Sequence, residues 1–220
     1  MTSRSQAQSP PPVLYDRNCT ACPRLAQFLA ESRRRFPDYF CRPVPAFGDA
    51  QPWLLIAGLA PGLHGANRTG RPFTGDFAGL LLYETLFALG LSNQPNGTSP
   101  DDGLMLKGAR ITNSVKCVPP ENRPELSEIR RCNRFIAAEI AALPSIKVIL
   151  ALGRIAHDAV LIALGKRPGA YKFGHATEHL IAGVHLIDSY HCSRYNTQTR
   201  RLTPEMFRNV VSRAVALGHV

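Results

Sequence analysis

The chain has 220 residues, of which 26 are Lys or Arg and 16 are Asp or Glu, so its formal net charge is +10. This length suits one domain with a full α/β core, and the basic balance favours a polyanionic partner, most often nucleic acid. No apolar run approaches the ~20 residues that a membrane-spanning helix needs, which excludes a helical membrane protein. A genome that favours arginine codons would give the same charge, and this alternative stays open.

The first residues differ in composition from the rest of the chain. Residues 1–12 are rich in Ser, Gln and Pro and lack the apolar core of a signal peptide. We therefore expect a disordered tail at 1–12, a single domain over 13–220 and a cytoplasmic protein.

Short apolar runs alternate with segments of helical periodicity from residue 21 onward. In chain order the sequence predicts a helix at 21–35, a strand at 53–58, a helix at 77–89, a strand at 110–115, a helix at 124–142, a strand at 147–152, a helix at 154–163, a strand at 184–188 and a helix at 204–217. The polar segment 92–102 is predicted to be an exposed loop. Short apolar strands separated by helices predict a parallel sheet covered on both faces, which is a three-layer α/β/α sandwich.

The most informative segment is the glycine-rich run 58–79, which follows the first predicted strand and precedes a helix. Open α/β sheets place their active sites in loops of this strand–loop–helix order. Glycines let the backbone approach a ligand closely, and the run also carries an aromatic ring, Phe73, and a carboxylate, Asp76. The loop therefore predicts a site for a compact, planar, polar substrate.

Three polar residues are expected to meet at the carboxyl edge of the sheet. They are Asp76 in the first loop, Asn113 at the end of the second strand and His191 after the fourth. Taken alone, each is explained at least as well by a structural role: a helix N-cap, a strand-end cap and a turn residue, respectively. Their shared position after strands favours a site that hydrogen-bonds a polar ring.

The cysteines include a set of four with metal-ligand character. Cys19 and Cys22 form a Cys-x-x-Cys pair at the head of the first helix, Cys117 follows the second strand, and Cys132 lies on the next helix. Four converging thiolates could hold zinc or an iron–sulfur cluster, and the spacing does not choose between them. A thioredoxin-type pair is disfavoured because no clear strand directly precedes Cys19, and four unrelated buried thiols remain the alternative.

Three segments resemble the uracil-DNA glycosylase superfamily: 58–76 (beginning Gly-Leu-Ala-Pro-Gly and ending Ala-Asn-Arg-Thr-Gly-Arg-Pro-Phe-Thr-Gly-Asp), 113–124 (Asn-Ser-Val-Lys-Cys-Val-Pro-Pro-Glu-Asn-Arg-Pro) and 191–196 (His-Cys-Ser-Arg-Tyr-Asn). The first is similar to the type b, or family 5, branch, and the likeness extends over about residues 15–217. It implies a four-stranded parallel sheet between helices. It also implies a structural [4Fe–4S] cluster on the four cysteines named above, and no ligand role for Cys41 and Cys192.

The resemblance implies an enzyme that flips a deaminated base out of DNA and hydrolyses its N-glycosidic bond, which initiates base excision repair. Phe73 would stack on the base, and Asn113 would present its amide to O4 and N3–H of uracil. His191 would lie near O2, where negative charge builds as the base departs, and Asp76 would orient or deprotonate the water. No lysine is placed as a Schiff-base nucleophile, so we expect no strand cleavage.

Further residues are assigned to the substrate and to DNA by the same resemblance. The substrate set is completed by Gly58, Ala60, Gly62, His64 and Asn67. The DNA-binding set is Ser193, Arg194 and Tyr195. Tyr195 falls where relatives insert an apolar wedge into the vacated base stack, and an ordinary packed loop tyrosine is the alternative.

Two positions depart from the wider superfamily pattern. Leu59 stands where family 4 relatives carry a carboxylate, and for that reason we move the water-handling role to Asp76. The type b branch shares this absence. Cys192 stands where many relatives have a proline after the histidine, which changes the flexibility of that loop.

The type b branch implies hypoxanthine and xanthine as substrates besides uracil. It also implies DNA as the partner and a prokaryotic cytoplasmic protein that associates with the nucleoid during repair. We expect a monomer, because base removal needs one site. Two rival classes remain: a non-catalytic nucleic-acid-binding module shaped by its metal, and an α/β enzyme acting on free nucleosides or nucleotides. The glycosylase interpretation alone explains the loop, the cysteines and the charge together.

Overall fold

The computed structural model describes residues 14–219, so the expected tail at 1–12 lies outside the described residues. The strands are β1 (Phe47–Gly48), β2 (Leu54–Gly58), β3 (Ala109–Asn113), β4 (Val148–Leu152), β5 (Glu178–Ile181) and β6 (Val184–Ser189). The helices are α1 (Pro23–Arg35), α2 (Ala66–Thr69), α3 (Phe77–Ala88), α4 (Leu126–Ala142), α5 (Arg154–Ala163), α6 (Arg194–Gln198) and α7 (Pro204–Gly218). None of these helices is long and apolar enough to cross a bilayer.

All six strands belong to one sheet with the order β1-β3-β2-β4-β6-β5. The inner four run parallel and are the strands that the sequence predicts. The three-layer α/β/α sandwich with four parallel strands is therefore confirmed. Two short antiparallel strands, β1 and β5, extend it at the edges. At one end of the sheet the register pairs Gly58 with Asn113, so the loops after β2 and β3 leave side by side.

Both faces of the sheet are covered by helices. Successive residues of a strand point to opposite faces. Leu54 and Ile56 pack in a core with Leu82 of α3 and Phe207 of α7. Leu55 points the other way and packs with residues of β4, β6 and α5. Strands β2 and β4 are buried at every position, and their residues form unbroken apolar runs rather than alternating ones.

Two helix starts differ from the sequence prediction because of local capping. α1 begins at Pro23, which occupies the first helical turn, and Cys22 takes the N-cap position. α4 begins at Leu126, since the carboxylate of Glu128 accepts the Glu125 N–H at 2.7 Å in a capping box. The preceding residues therefore form a separate turn, which reaches the site described next.

Candidate active site and cysteine centre

The loops that follow β2, β3 and β6 enclose a cavity of about 430 Å³ at the carboxyl edge of the sheet. Asp76, Asn113 and His191, which are far apart in the sequence, meet in its wall. The wall also contains Ala60, Gly62, Phe73, Ser193 and Arg194. Small and apolar walls with a few convergent polar groups are typical of ligand sites.

Phe73 forms a flat aromatic face of the cavity. Its backbone lies in the left-handed region with a φ of 56°, and its side chain is buried. The ring packs on Gly58, where a Cβ atom would lie 2.8 Å from two ring carbons and 2.5 Å from Asn113 Oδ1. Only glycine allows this approach. The His191 ring lies nearly parallel to it, with centroids 6.0 Å apart.

Asp76 has two roles in the structure. It is the N-cap of α3, and its Oδ1 accepts the N–H of Gly79 at 3.0 Å. The N-cap alternative is therefore correct, yet the same side chain lines the cavity. Its Oδ2 faces Gly65, where a Cβ atom would lie 2.6 Å from that oxygen. Burial raises the pKa of Asp76 above its ordinary value, although the N–H groups of Gly79 and Ala78 act in the opposite direction.

Asn113 supplies an amide without a protein partner for its oxygen. The N–H and hydroxyl of Ser114 both donate to the Gly58 carbonyl, at 2.9 and 2.8 Å, which fixes the strand end. Asn113 itself is 3% exposed, and no donor within residues 14–219 reaches its Oδ1. An unsatisfied buried acceptor costs about 1–3 kcal/mol, so a ligand that donates to this oxygen is favoured.

His191 is held at the junction of β6 and α6. Its carbonyl accepts the Nδ2–H of Asn196 at 2.8 Å, and its Cβ lies beside Gly153, close enough to leave little room for a side chain there. Burial lowers the pKa of His191 to about 4. The ring is therefore neutral at neutral pH, and one ring nitrogen can donate a hydrogen bond without the ring carrying charge.

Three residues assigned to the substrate, Gly58, His64 and Asn67, do not line the cavity, which corrects the sequence prediction. Gly58 lies behind the wall, against the Phe73 ring and Asn113 Oδ1. His64 is exposed, and its Nδ1 lies 3.1 Å from the hydroxyl of Tyr39. Asn67 is fully buried, and its Nδ2 lies 3.5 Å from Cys41 Sγ. The reason for His64 and Asn67 is the single helical turn of α2, which places Ala66 in the cavity wall instead of its neighbours.

The DNA-binding set lies at the mouth of the cavity. Ser193 caps α6 by accepting the N–H of Asn196 at 3.4 Å, and the Arg194 guanidinium lies 5.0 Å from the ring centroid of Phe77. Tyr195 does not line the cavity, and it is 70% exposed. It is therefore not a packed loop tyrosine.

Five further residues line the cavity and were not assigned to the site from the sequence: Leu59, Ala66, Phe77, Ala78 and Asn122. Asn122 is the one among them with a polar side chain. It and Glu121 both lie in the left-handed region, with φ values of 56° and 53°. Asparagine is enriched in this conformation, so the Pro-Pro-Glu-Asn segment contained a signal for this turn.

The four cysteines predicted to act together, Cys19, Cys22, Cys117 and Cys132, line one small cavity between α1, α4 and the segment after β3. Two sulfur atoms receive hydrogen bonds of 3.3 Å, from the Lys116 N–H to Cys132 and from the Arg134 guanidinium to Cys19. Burial raises the pKa of Cys132 to about 11 and also raises that of Cys117. Cys41 and Cys192 lie outside this cavity, buried in other parts of the fold.

Comparison with known proteins agrees with this architecture. The family profile "Uracil DNA glycosylase superfamily" matches residues 45–214. A type-5 uracil-DNA glycosylase of Thermus thermophilus is 47% identical over 206 residues, which cover 91% of this chain and 94% of that protein. A type-5 uracil-DNA glycosylase of Pyrobaculum aerophilum is 42% identical, with 90% and 88% covered. A type-4 uracil-DNA glycosylase of the same organism is 33% identical, with 80% and 78% covered. The chain belongs to the uracil-DNA glycosylase superfamily, in its type-5 branch.

Proposed function

We propose that this protein flips uracil out of DNA and hydrolyses its N-glycosidic bond, which leaves an abasic site and initiates base excision repair. Membership of the family makes the chain a DNA N-glycosylase. The observation that carries the proposal is the unpartnered amide oxygen of Asn113 beside the Phe73 ring, with Asp76 and His191 in the same cavity wall. The net charge of +10 suits a polyanionic substrate better than a free nucleoside.

The amide of Asn113 reads the polar edge of the base. Its Oδ1 accepts N3–H of uracil, and its Nδ2 donates to O4, while Phe73 packs on the face of the ring. Cytosine carries an acceptor at N3 and a donor at C4, so the same amide orientation disfavours it. The extruded base thereby satisfies the acceptor that the protein leaves unpaired.

His191 stabilises the departing base. Negative charge grows on uracil O2 as the glycosidic bond breaks, and a hydrogen bond from the imidazole N–H becomes stronger as it grows. The lowered pKa of His191, a result of burial, means that this donor is neutral. The ring therefore does not need to bind a proton from solvent before the reaction.

Asp76 handles the water. Its Oδ1 is engaged with the Gly79 N–H, so Oδ2 is the oxygen that orients the water or accepts its proton. Water then adds to the anomeric carbon of an oxocarbenium-like sugar. Burial raises the pKa of Asp76, which makes its carboxylate a stronger base than an exposed aspartate.

Hypoxanthine and xanthine are proposed as further substrates. The cavity wall includes small or apolar residues such as Leu59, Ala60 and Gly62, and among the described residues that line it Asp76 is the only carboxylate. Such a wall leaves room for a bicyclic base and presents no charge to repel its carbonyl groups.

We also propose that the four cysteines bind a structural [4Fe–4S] cluster. Four cysteines are the usual ligand set of a [4Fe–4S] cluster, and all four line one cavity between α1, α4 and the segment after β3. The cluster would join α1 and α4 to the segment after β3.

Ser193, Arg194 and Tyr195 are proposed to meet the DNA at the mouth of the cavity, with Tyr195 filling the gap that the flipped base leaves. One chain supplies the whole cavity wall, so we propose a monomer. A cytoplasmic protein that associates with the nucleoid during repair follows from the substrate.

The first experiment measures uracil release from a duplex oligonucleotide with one uracil, by the wild type and by Asp76→Asn. We expect release by the wild type without strand scission in the absence of alkali or heat, and a large loss in the variant. Equal release by both proteins would assign the water to another residue. If the wild type releases neither uracil nor hypoxanthine but binds duplexes in a salt-dependent way, the non-catalytic binding module would be favoured. If the protein cleaved free nucleosides as fast as it releases uracil from DNA, the alternative of an enzyme acting on free nucleosides or nucleotides would be favoured.

A further inference from the structure

The turn between β3 and α4, residues 119–125, brings Asn122 to the cavity wall in a strained conformation. Glu121 and Asn122 are consecutive non-glycine residues with φ values of 53° and 56°. Such a conformation persists only where surrounding contacts hold it. Both side chains are exposed, so packing of these two residues does not supply the restraint.

The turn is closed by two backbone hydrogen bonds, from the Asn122 N–H to the Pro119 carbonyl at 3.2 Å and from the Arg123 N–H to the Pro120 carbonyl at 3.0 Å. It is held from outside by Arg24, on the first turn of α1. Its Nη2 donates to the carbonyl of Arg123, the residue that follows Asn122, at 3.1 Å. The same guanidinium binds the buried carboxylate of Glu128 in a fork, with Nε–Oε1 and Nη2–Oε2 distances of 2.9 and 2.7 Å. Its Nε also lies 3.1 Å from Oε1 of Glu125. One side chain thus joins the turn to the capping box of α4.

Arg24 is also close to the cysteine centre along the chain. It comes two residues after Cys22, and Glu128 comes four residues before Cys132. Helix α1, which has Cys22 as its N-cap, and helix α4, which contains Cys132, are therefore tied through this guanidinium to the turn that reaches the cavity.

We propose that Arg24 is a positioning residue, which fixes the 119–125 turn and thereby the place of Asn122 in the cavity wall. Lysine cannot replace it, because one ammonium group does not reproduce the planar fork that contacts Glu128 and the Arg123 carbonyl together. This inference rests on the proposed base release for one of its two measurements. The other measurement is independent of activity.

The activity measurement is a double-mutant cycle on kcat/KM for uracil release. Asn122→Gly removes the side chain while glycine adopts the left-handed conformation without strain. Arg24→Lys and Asn122→Gly should each lower kcat/KM about tenfold, a loss typical of a displaced site group. The kcat/KM of the double variant should be no lower than that of Asn122→Gly alone, because both changes remove the same contribution. A multiplicative loss in the double variant, or full activity of Arg24→Lys, would overturn the proposal.

The second measurement is amide hydrogen exchange at Glu121, Asn122, Arg123 and Glu125, the residues of the turn that have an N–H. It reports how firmly the turn is held whether or not the protein releases uracil. Exchange should be faster in Arg24→Lys and unchanged in Arg131→Lys. Arg131 donates to the Ala21 carbonyl in the same region but does not contact the turn. Equal exchange in wild type and Arg24→Lys, or equal effects of both lysine variants, would contradict the proposal. Failure of the wild type to release uracil would count against the proposed function only.

Visible absorbance and thermal unfolding of every variant show whether the cysteine centre and the fold are kept. If Arg24→Lys does not keep them, Glu125→Gln takes its place in both measurements. That change weakens the contact of Arg24 with the last residue of the turn and leaves Glu128 in place. Glu125→Gln should lower kcat/KM and speed amide exchange less than Arg24→Lys does. Combined with Asn122→Gly it should lower kcat/KM no further than Asn122→Gly alone, and a multiplicative loss would overturn the proposal.

Discussion

The cavity and the cysteine centre lie close together in the fold but differ in how completely their polar atoms are hydrogen-bonded to the protein. In the cavity the protein leaves polar groups incompletely paired: Asn113 Oδ1 has no donor within the described residues, and Asp76 has one oxygen free of the Gly79 N–H. In the cysteine centre Cys117 and Cys132 are buried, and the sulfur atoms of Cys132 and Cys19 receive hydrogen bonds from Lys116 and Arg134. A site that must bind and release a ligand needs free hydrogen-bonding groups, whereas a centre proposed to hold a permanent cluster needs its ligands fixed in place.

The largest effect is expected in the cavity, where two substitutions of Asp76 separate its part in the reaction from its role as a helix N-cap. Asp76→Asn should lower uracil release by about 10²–10⁴-fold, the contribution of a general base. Its thermal stability should be unchanged, since asparagine caps helices as well as aspartate does. Asp76→Ala should lose the same activity and also about 1 kcal/mol of stability. Single-turnover rates and thermal unfolding check this, and equal stability of the two variants would contradict the capping part.

Substitution of a cysteine in the centre should mainly lower the stability of the fold and should affect the reaction only as a consequence. Cys132→Ser should abolish the visible absorbance and lower the free energy of unfolding by about 4 kcal/mol or more, a size reached when a metal centre is lost. Cys41→Ala is the control, because Cys41 is equally buried but lies outside the centre. The Cys41→Ala protein should contain as much iron as the wild type. Full iron content in Cys132→Ser, measured by metal analysis, would contradict the ligand set.

Gly58 lies directly behind the cavity wall, where it packs against Phe73 and Asn113. Gly58→Ala should cost about 1–3 kcal/mol by overpacking against Phe73 and Asn113, and it should also lower the rate of base release. Gly169→Ala is a matched control, since nothing lies within 4 Å of its Cβ position. It should change neither quantity. Chemical denaturation and the same release assay check this, and a Gly58→Ala protein as active as the wild type would show that the wall is not rigid.

The pH dependence of base release should depend on Asp76 rather than His191. Water handling needs the carboxylate, so the rate should fall as pH falls through the raised pKa of Asp76, about tenfold per pH unit below it. His191 stays neutral until the pH approaches its lowered pKa of about 4, so its protonation cannot cause a loss that begins at higher pH. The residual activity of Asp76→Asn should lack the acid limb. An unchanged limb in that variant would assign it to another group.

Tyr195 should have the smallest effect, and one limited to duplex DNA. Tyr195→Ala should slow release from a duplex about tenfold, since stacking of an aromatic side chain on a base contributes about 1–3 kcal/mol. Release from single strands, where there is no vacated stack to fill, should not change. Thermal stability should also be unchanged because the side chain is exposed. Full duplex activity would remove the wedge from the mechanism.

The parallel strands and the convergence of Asp76, Asn113 and His191 could be predicted because both follow from local patterns. Unbroken apolar runs mark strands buried on both faces, and polar residues after parallel strands share one edge. Strand β5 was missed because it has four residues and its sequence, Glu-His-Leu-Ile, forms neither an apolar run nor a regular alternation. It pairs with β6 only through a two-residue turn at Ala182 and Gly183, both with positive φ.

The misplaced and missed residues of the site have a different cause. Whether His64, Asn67 or Ala66 faces the cavity depends on one short helical turn, and a sequence of small residues does not specify its phase. Asn122 reaches the cavity because Arg24, nearly a hundred positions away, binds the carbonyl of the next residue. Contacts of this range leave no local pattern to recognise.

The shortness of the two outer strands has a consequence for how the protein behaves at high concentration. The outermost strands of a sheet offer free N–H and C=O groups to which another chain can add. Here one such strand has two residues and the other has four, so a neighbouring molecule finds few consecutive groups to pair with. The four longer strands, which would be the hazardous ones, are interior. The architecture therefore resists aggregation by strand addition while it keeps a strongly apolar sheet.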